Sequence, residues 1–319
     1  MLLGALDLGS NSFHLLVARV DGLGRLEKVG GKKAMIRLEE AVAATGRIQP
    51  ETFARALDAV GELLCEAHGH GAERVIVAGT SALRDAANGG AFAAAVRARF
   101  RVEVEILSGE DEGRIVYHGA RSRLDELPER VGVIDLGGGS AEIAVGERDA
   151  CLYAASLPLG FLRLARTLEA PGALDADDRA RVRAHVKQHA DPVAAELGVL
   201  APQAWLLSGG TARTLARVIG LAPGATLSTS ELARLAERFA PCDPGQLVGL
   251  GVDPVRARGF GLGANVLASL TEALGAPATR VTPGGLREGL LLREIGGRST
   301  RHARVHLHHA GRVARPSAG

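Results

Sequence analysis

The chain twice ends an apolar run in an aspartate and passes straight into a glycine- and serine-rich turn. The two copies are ALDLGSNSFHLLVARV at 5–20 and VIDLGGGSAEIAVG at 133–146. The segment downstream of each copy repeats as well. From Asp7 to Gly79, in the strand and turn VIVAGT, is 72 residues; from Asp135 to Gly209, in WLLSGG, is 74. Each half reads as strand, Asp–Gly turn, strand and strand, then helix, strand, Gly/Thr turn and helix. A repeat of that length and mixture argues against a solenoid and predicts two homologous α/β domains facing each other. With 319 residues, 46% of them hydrophobic, the chain can fill two cores at roughly 100–200 residues per domain.

The local patterns agree. Strands are predicted at 3–8 and 13–20, then at RLEKVGG after the turn DGLG (21–24). After Pro50, apolar residues at 53, 56, 57, 60, 63, 64 and 67 have helical spacing. RVIVAGT (74–80) and VEVEILS (102–108) read as short strands. Helices are expected at SALRDAAN, closed by Asn88–Gly89, at AFAAAVRARF, and from about Gly109 to Leu124. In the second half, GVIDLGG, AEIAVGE, CLYAASLPL, AWLLSGG and ATRVTP read as strands. FLRLARTL, DADDRARVRAHVKQHA, TARTLARVIG and GLREGLLLREI read as helices, as does STSELARLAERFA with Ser228 or Ser230 as its N-cap. The glycine-rich stretch 245–263 is expected to precede a helix near 264–274, with hinge glycines at 259–263 and 284–285. Domains are therefore drawn at 1–125 and 126–297, followed by a basic, flexible tail at 298–319.

Charge excludes some functions. Net charge is +2, but five arginines and no acid come after Gly297, which leaves −3 on the rest. The body is no nucleic-acid binder by bulk charge. Only four of the 38 basic residues are lysines, which reads as genome composition. Three scattered cysteines, Cys65, Cys151 and Cys242, form no disulfide framework or metal motif and fit a reducing cytosol. No apolar run reaches the ~18 residues of a membrane span, so a soluble, cytoplasmic protein with no membrane partner is expected.

The repeated turn has a chemical use. Consecutive backbone N–H groups with no side chains in the way form a nest that binds phosphate oxygens. An aspartate beside such a nest repels phosphate, but it can hold a divalent metal that bridges to phosphate, or orient a water. Either turn alone would pass for a hairpin; two at matched positions point to a grip on a phosphate chain from both sides of a cleft. Gly209, Gly210 and Thr211 open a helix and would add donors. Two further stretches bear on this cleft. In SGEDEGR (108–114) the acids Glu110, Asp111 and Glu112 start a helix, where the macrodipole favours them. At helical spacing one or two of them can face a cleft as a general base. In GTSALRD (79–85), Arg84 lies one turn behind the end of a buried strand, the edge where open α/β sheets bind ligands.

Together DLGSNSFHLLVARV, GTSALRDAAN, SGEDEGR, VIDLGGGSAEI, LLSGGT and GGLREGLL resemble, in order and over nearly the whole chain to Ile295, the exopolyphosphatase/guanosine pentaphosphatase (Ppx/GppA) family of the actin-like ATPase superfamily. The resemblance implies two actin-like, ribonuclease H-like domains with an active cleft between them, and Mg²⁺-assisted (or Mn²⁺-assisted) hydrolysis of a terminal phosphoryl group. It implies that Glu112 prepares the attacking water and that Asp135 and Glu142, with Asp7 as a counterpart, hold metal or water. It places Arg84, Ser10, Asn11, Ser12, Gly138, Gly139, Ser140, Gly209, Gly210 and Thr211 at phosphate-gripping positions. Glu110 is the weaker base and Asp111 the least essential acid. Ser12 and Ser140 are not expected as nucleophiles, because neither has an identifiable histidine partner; His14 reads as structural. The long C-terminal helical domains of larger members are missing, which weakens any claim of processive action. A homodimer is a family-level expectation.

The leading expectation is an exopolyphosphatase acting on inorganic polyphosphate. Hydrolysis of guanosine pentaphosphate is the alternative within the family. An actin-like small-molecule kinase and a non-catalytic sensor of polyphosphate or guanosine tetraphosphate stand as alternatives from other classes.

Overall fold

The computed structural model describes residues 1–21, 25–170, 172–222 and 224–296. The expected tail at 298–319 and the centre of the DGLG turn lie outside the described residues. The first half holds strands β1 (Leu2–Leu8), β2 (Ser12–Val20), β3 (Leu26–Met35), β4 (Arg74–Gly79) and β5 (Val104–Ile106). Its helices are α1 (Leu38–Thr45), α2 (Pro50–Gly69), α3 (Ser81–Asp85), α4 (Gly89–Phe100) and α5 (Gly109–Arg121). The second half holds β6 (Arg130–Leu136), β7 (Ala141–Glu147), β8 (Ala150–Leu157), β9 (Ala204–Ser208), β10 (Thr226–Ser228) and β11 (Ala278–Val281). Its helices are α6 (Phe161–Thr167), α7 (Ala176–Leu197), α8 (Gly209–Val218), α9 (Thr229–Phe239), α10 (Pro244–Gly249) and α11 (Pro254–Ala273), then α12 over 286–296.

The repeat seen in the sequence is a repeat of topology. The first sheet runs β3-β2-β1-β4-β5 and the second β8-β7-β6-β9-β11-β10. In each, the leading strand pairs antiparallel with the second and parallel with the fourth. Leu8 faces Gly79 and Leu136 faces Gly209, so the two spacings end at equivalent places.

Strand periodicity decides where the aspartates go. Along β1, Leu6 and Leu8 enter the first half's own core, while Leu3 and Ala5 enter a third core between the sheets. Along β6, Ile134 and Leu136 enter the second half's core, while Val131 and Val133 enter the shared one. Side chains alternate faces with period two, so Asp7 and Asp135 continue the shared rows. Both stand at the C-terminal ends of their strands, where the shared core gives way to a cleft.

The shared core is filled by α5 and α12. Their backbones touch: a Cβ on Gly119 would lie 1.9 Å from the Gly285 carbonyl oxygen, and one on Gly289 would lie 2.0 Å from that of Ile115. α5 lies against β7 and β8 of the second sheet, while α12 reaches back to the first, with Glu294 pairing Arg74 at 2.8 Å and Arg293 pairing Glu105. No helix among the described residues is long and apolar enough to cross a membrane.

The structure corrects several sequence expectations. The helix expected near 264–274 begins at Pro254, capped by Asp253, so Gly259, Gly261 and Gly263 lie inside α11 and form no hinge. They permit close approach instead, since a Cβ there would meet Phe161, the Phe239 carbonyl and Thr211 respectively. The strand VEVEILS shrinks to Val104–Ile106. Asn88–Gly89 closes no helix: α3 ends at Asp85, and the Asn88 amide is spent on both backbone groups of Ile48, at 2.8 and 2.9 Å. Helices α1 and α10 and strand β10 carry too short a pattern to have been read. Ser228, one of the two expected caps, forms the capping box of α9 with Glu231.

Gly119→Ala is expected to destabilise the protein by about 3 kcal/mol, the upper end of ordinary overpacking, because backbone is what the new methyl meets. Gly90→Ala, with nothing within 4 Å, is expected to be neutral or slightly stabilising. Urea unfolding of the two variants checks the contrast.

Candidate active site

The cleft is built from equivalent pieces of the two halves. Asp7, Gly9, Ser10, Asn11 and Ser12 line one wall; Asp135, Gly137, Gly138, Gly139, Ser140 and Glu142 line the other. Among the described residues, the amides of Gly9, Ser10, Asn11, Gly138 and Gly139 have no protein acceptor. They are the free donors that the turns were expected to offer. Gly209 and Gly210 add the N-terminus of α8. Gly209 has φ +92°, and a Cβ on it would lie 2.7 Å from Asp135 Oδ1, so only glycine lets this helix start beside the aspartate.

The loops meet across the cleft. A Cβ on Gly139 would lie 2.4 Å from Ser81 Oγ and 2.6 Å from Ser10 Oγ, two hydroxyls that bond each other at 2.8 Å. Just outside, Arg163 of α6 pairs with Glu39 of α1 at 3.4 Å and with Asp85 of α3, clasping the halves.

Of the three successive acids, one faces the cleft. Glu112 is buried and lines it. Asp111 is exposed and takes the Ser108 hydroxyl at 2.7 Å, while its own amide is capped by that Ser108 at 3.1 Å. Glu110 is exposed and paired with Arg114. Burial, and then the Glu142 carboxylate, push Glu112 well above the usual carboxylate range; the Arg84 guanidinium opposes them. Arg84 Nη1 donates to Glu112 Oε2 at 3.0 Å and to the Leu107 carbonyl at 2.8 Å. It thus stands behind Glu112 and does not line the cleft. Thr211 is buried beneath the loops against Gly263 and also does not line the cleft.

Glu142 faces Asp135 across the β6–β7 ladder and accepts from Ser156 Oγ at 2.8 Å. Burial, with Asp135 adding, pushes it up to about 7. Burial likewise pushes Asp7 up to about 7 and raises Asp135. Asp7 and Asp135 each keep an enclosed Oδ1 with no hydrogen-bond partner. Among the described residues, no three His, Cys, Asp or Glu side chains make a complete metal cage. Two carboxylates beside a phosphate nest are nonetheless the donor set of Mg²⁺, which keeps waters and shares phosphate oxygens. The residues fit that ion.

Three arginines were not singled out in the sequence. Arg213 of α8, Arg256 of α11 and Arg287 of α12 all line the cleft, and none forms an ion pair within 4 Å among the described residues. Burial, with Arg287 alongside, holds Arg213 below the ordinary arginine range. In an arginine-rich chain nothing local marks them; Arg287 sits in GGLREGLL, but its facing depends on how α12 docks. The structure also gives Ser12 the histidine partner that the sequence did not reveal: His14 Nε2 lies 2.8 Å from Ser12 Oγ. Residues two apart on a strand share a face, which was the missed signal. Burial and the surrounding cations hold His14 down at about 2, so it is neutral.

The model of the Ppx/GppA phosphatase family matches residues 16–297. The chain belongs to this family. Exopolyphosphatase 1 of Mycobacterium tuberculosis is 33% identical over 311 residues, covering 92% of this chain and 88% of that one. A putative exopolyphosphatase of Haemophilus influenzae is 28% identical over 292 residues, covering 91% and 90%. Among solved structures, an exopolyphosphatase from Cytophaga hutchinsonii superposes with a TM-score of 0.84 at 22% identity, covering 93% of this chain and 98% of its own. The Aquifex aeolicus family member gives 0.79 at 24%, with the same coverage. This Ppx/GppA phosphatase is therefore a hydrolase, with the doubled α/β architecture expected from its repeat and the actin-like fold that the resemblance implied.

With its pKa pushed up to about 7 by burial, Asp7 keeps a proton that the unfolded chain releases near pH 4. The native state binds more protons in that window, so stability falls as pH rises from about 4 to 7 and levels off above. The difference from an ordinary carboxylate corresponds to ~4 kcal/mol, at about 1.36 kcal/mol per pH unit. Asp7→Asn is expected to raise the thermal midpoint of chelator-treated protein by several degrees at pH 8 and by much less at pH 4.5. Equal shifts at the two pH values, read by calorimetry, would show that the Asp7 carboxyl carries no such strain.

Proposed function

We propose that this phosphatase is an exopolyphosphatase, which removes orthophosphate from the end of inorganic polyphosphate. The observation that carries the reading is the combination in one cleft of unpaired cations, free amides and a buried glutamate, Glu112, held by an arginine. Such a cleft favours a substrate that is almost all charge. Besides the His14 imidazole, Phe161 is the one aromatic ring lining it among the described residues. That ring packs along Gly259 of α11, which leaves little for a purine to stack on. This favours polyphosphate over guanosine pentaphosphate. The curated relatives named as exopolyphosphatases support the same choice.

In this reading the terminal phosphoryl group lies between the two turns. The amides of Gly9, Ser10, Asn11, Gly138 and Gly139 take its oxygens, with the helix start at Gly209 and Gly210. Arg213, Arg256 and Arg287 neutralise the neighbouring phosphates, so that charge moving to the leaving chain costs little. Glu112 takes the proton of the attacking water. Its raised pKa suits a base that must hold and release a proton near neutral pH. Arg84 is a positioning residue: it fixes the rotamer of Glu112 and touches no phosphate. Asp7 and Asp135, with Glu142 orienting a water, would hold Mg²⁺ or Mn²⁺, which supplies Lewis-acid charge to the phosphoryl oxygens when bound. Ser12 and His14 serve the grip: a neutral His14 accepts the Ser12 proton, leaving that hydroxyl's lone pairs toward the cleft. Thr211 supports the α8 start from below.

Glu112→Gln is expected to lower kcat by about 10²–10⁴-fold while polyphosphate still binds. The measurement is orthophosphate release with Mg²⁺ from long and short polyphosphate, guanosine pentaphosphate and ATP, side by side. Preference for guanosine pentaphosphate would transfer the reading to the other substrate with the same site. Binding without hydrolysis of any of them would mark a sensor. Arg84→Gln is expected to lower kcat at least tenfold with little change in KM, since it is assigned to Glu112 and not to substrate. A rise in KM with kcat preserved would instead return Arg84 to the phosphate grip.

A further inference from the structure

Three of the four lysines in the chain, Lys28, Lys32 and Lys33, fall on β3, the edge strand of the first sheet. The β2–β3 register sets Lys33 opposite His14 and Lys28 opposite Ala18, with Gly31 opposite Leu16 between them. Residues directly opposite on paired strands project to the same face. His14 lines the cleft, and Leu16 and Ala18 belong to the shared core, so Lys33 and Lys28 lie on the cleft side. Lys32 also borders the cavity along this row, but its amine turns to the other face and pairs with Glu66 at 3.6 Å.

A second cavity runs along this row. Lys28 and Lys33 form one side and Arg123 and Arg287 the other, over a floor that includes Leu16 and Ala18. It shares His14, Arg287 and Glu288 with the active cleft, so the two are continuous. Lys28, Lys33 and Arg287 have no ion pair among the described residues. Gly31 lines the groove between Lys28 and Lys33, and a Cβ there would lie 2.6 Å from the Leu15 carbonyl oxygen. From His14 to Ala18 the row extends about 13 Å, at ~3.3 Å per residue. No aromatic ring other than the His14 imidazole lines it among the described residues, so single-stranded nucleic acid finds no stacking platform there.

We propose that this lysine-lined groove is the track that holds the distal phosphates of a linear polyphosphate while its end is hydrolysed in the cleft. The proposal rests on the exopolyphosphatase reading and extends it. A regular polyanion without bases is what matches a row of unpaired cations leading away from a phosphate grip. Contacts to units far from the scissile bond act on ground state and transition state alike, so they lower KM for long chains and leave kcat unchanged. They are also screened by salt. Recognition of long chains is then built into the first sheet of this two-sheet enzyme.

The test compares long-chain polyphosphate with tripolyphosphate for the wild type, Lys28→Glu/Lys33→Glu and Lys28→Gln/Lys33→Gln, with thermal melts to establish that each variant is folded. Charge reversal is expected to raise KM for the long chain about tenfold, neutralisation less. The kcat for either substrate and the KM for tripolyphosphate should stay within twofold, and the salt dependence of the long-chain KM should flatten. Unchanged long-chain KM, or an equal rise for both substrates, overturns the groove while the exopolyphosphatase reading stands. If the wild type hydrolyses no polyphosphate, that reading fails, and the groove is judged by equilibrium binding of labelled long-chain polyphosphate to the same three proteins. Loss of binding in the charge-reversed variant then upholds the groove; undiminished binding, or none in the wild type, rejects it.

Discussion

The two-residue period of a β-strand holds this site together. Val131, Val133 and Asp135 form one row and Leu3, Ala5 and Asp7 another, and both rows face the layer between the sheets. Because both faces of β1 and β6 are buried, a one-residue slip would drive a carboxylate into a domain core and an apolar side chain into the cleft. Register is therefore strongly specified. The same parity brings His14 beside Asp7 and Glu142 beside Asp135 across their ladders. The cleft is the open end of a layer whose other end is filled by α5 and α12.

Burial at that open end gives the site its electrostatic character. Asp7, Glu112, Asp135 and Glu142 are all pushed toward the protonated form by lost hydration. Arg213 and Arg256 face the opposite penalty. These acids and cations are held apart instead of neutralising one another in close pairs; the one close pair among them is the contact of Glu112 with Arg84 behind it. An arrangement of this kind costs stability, because buried charges left without close partners lose hydration that nothing replaces. The closed geometry depends on contacts that tolerate no side chain, at Gly119 against Gly285 and at Gly139 against the Ser10–Ser81 pair.

The duplication was legible in the sequence because strand alternation, an aspartate at each strand end and a glycine turn are local features that repeat at nearly equal spacing. Glu112 was legible as one of three acids, and helix geometry then separated it: Asp111 is drawn into the helix cap and Glu110 into a surface pair, as first-turn acids commonly are. Helix α11 was misread because glycines at 259, 261 and 263 carry low helix propensity; close contacts with Phe161, Phe239 and Thr211 override it. The Ser12–His14 bond was within reach of the sequence, since it needs only residues two apart on a predicted strand.

The sequence by itself determined which residues end each leading strand, that there are two such ends, and that glycine- and serine-rich turns come directly after them. All of this depends on dihedral preferences and on periods shorter than one element. Only the tertiary structure decided which cations meet at the cleft. Arg213, Arg256 and Arg287 come from three helices far apart in the chain, and Lys28 and Lys33 reach the cleft side through the register of β2 with β3. Arg84 meets Glu112 and the Leu107 carbonyl, partners more than twenty residues away in the chain. Those placements arise from packing between elements, where a rotation of one helix face changes the partner of every side chain on it.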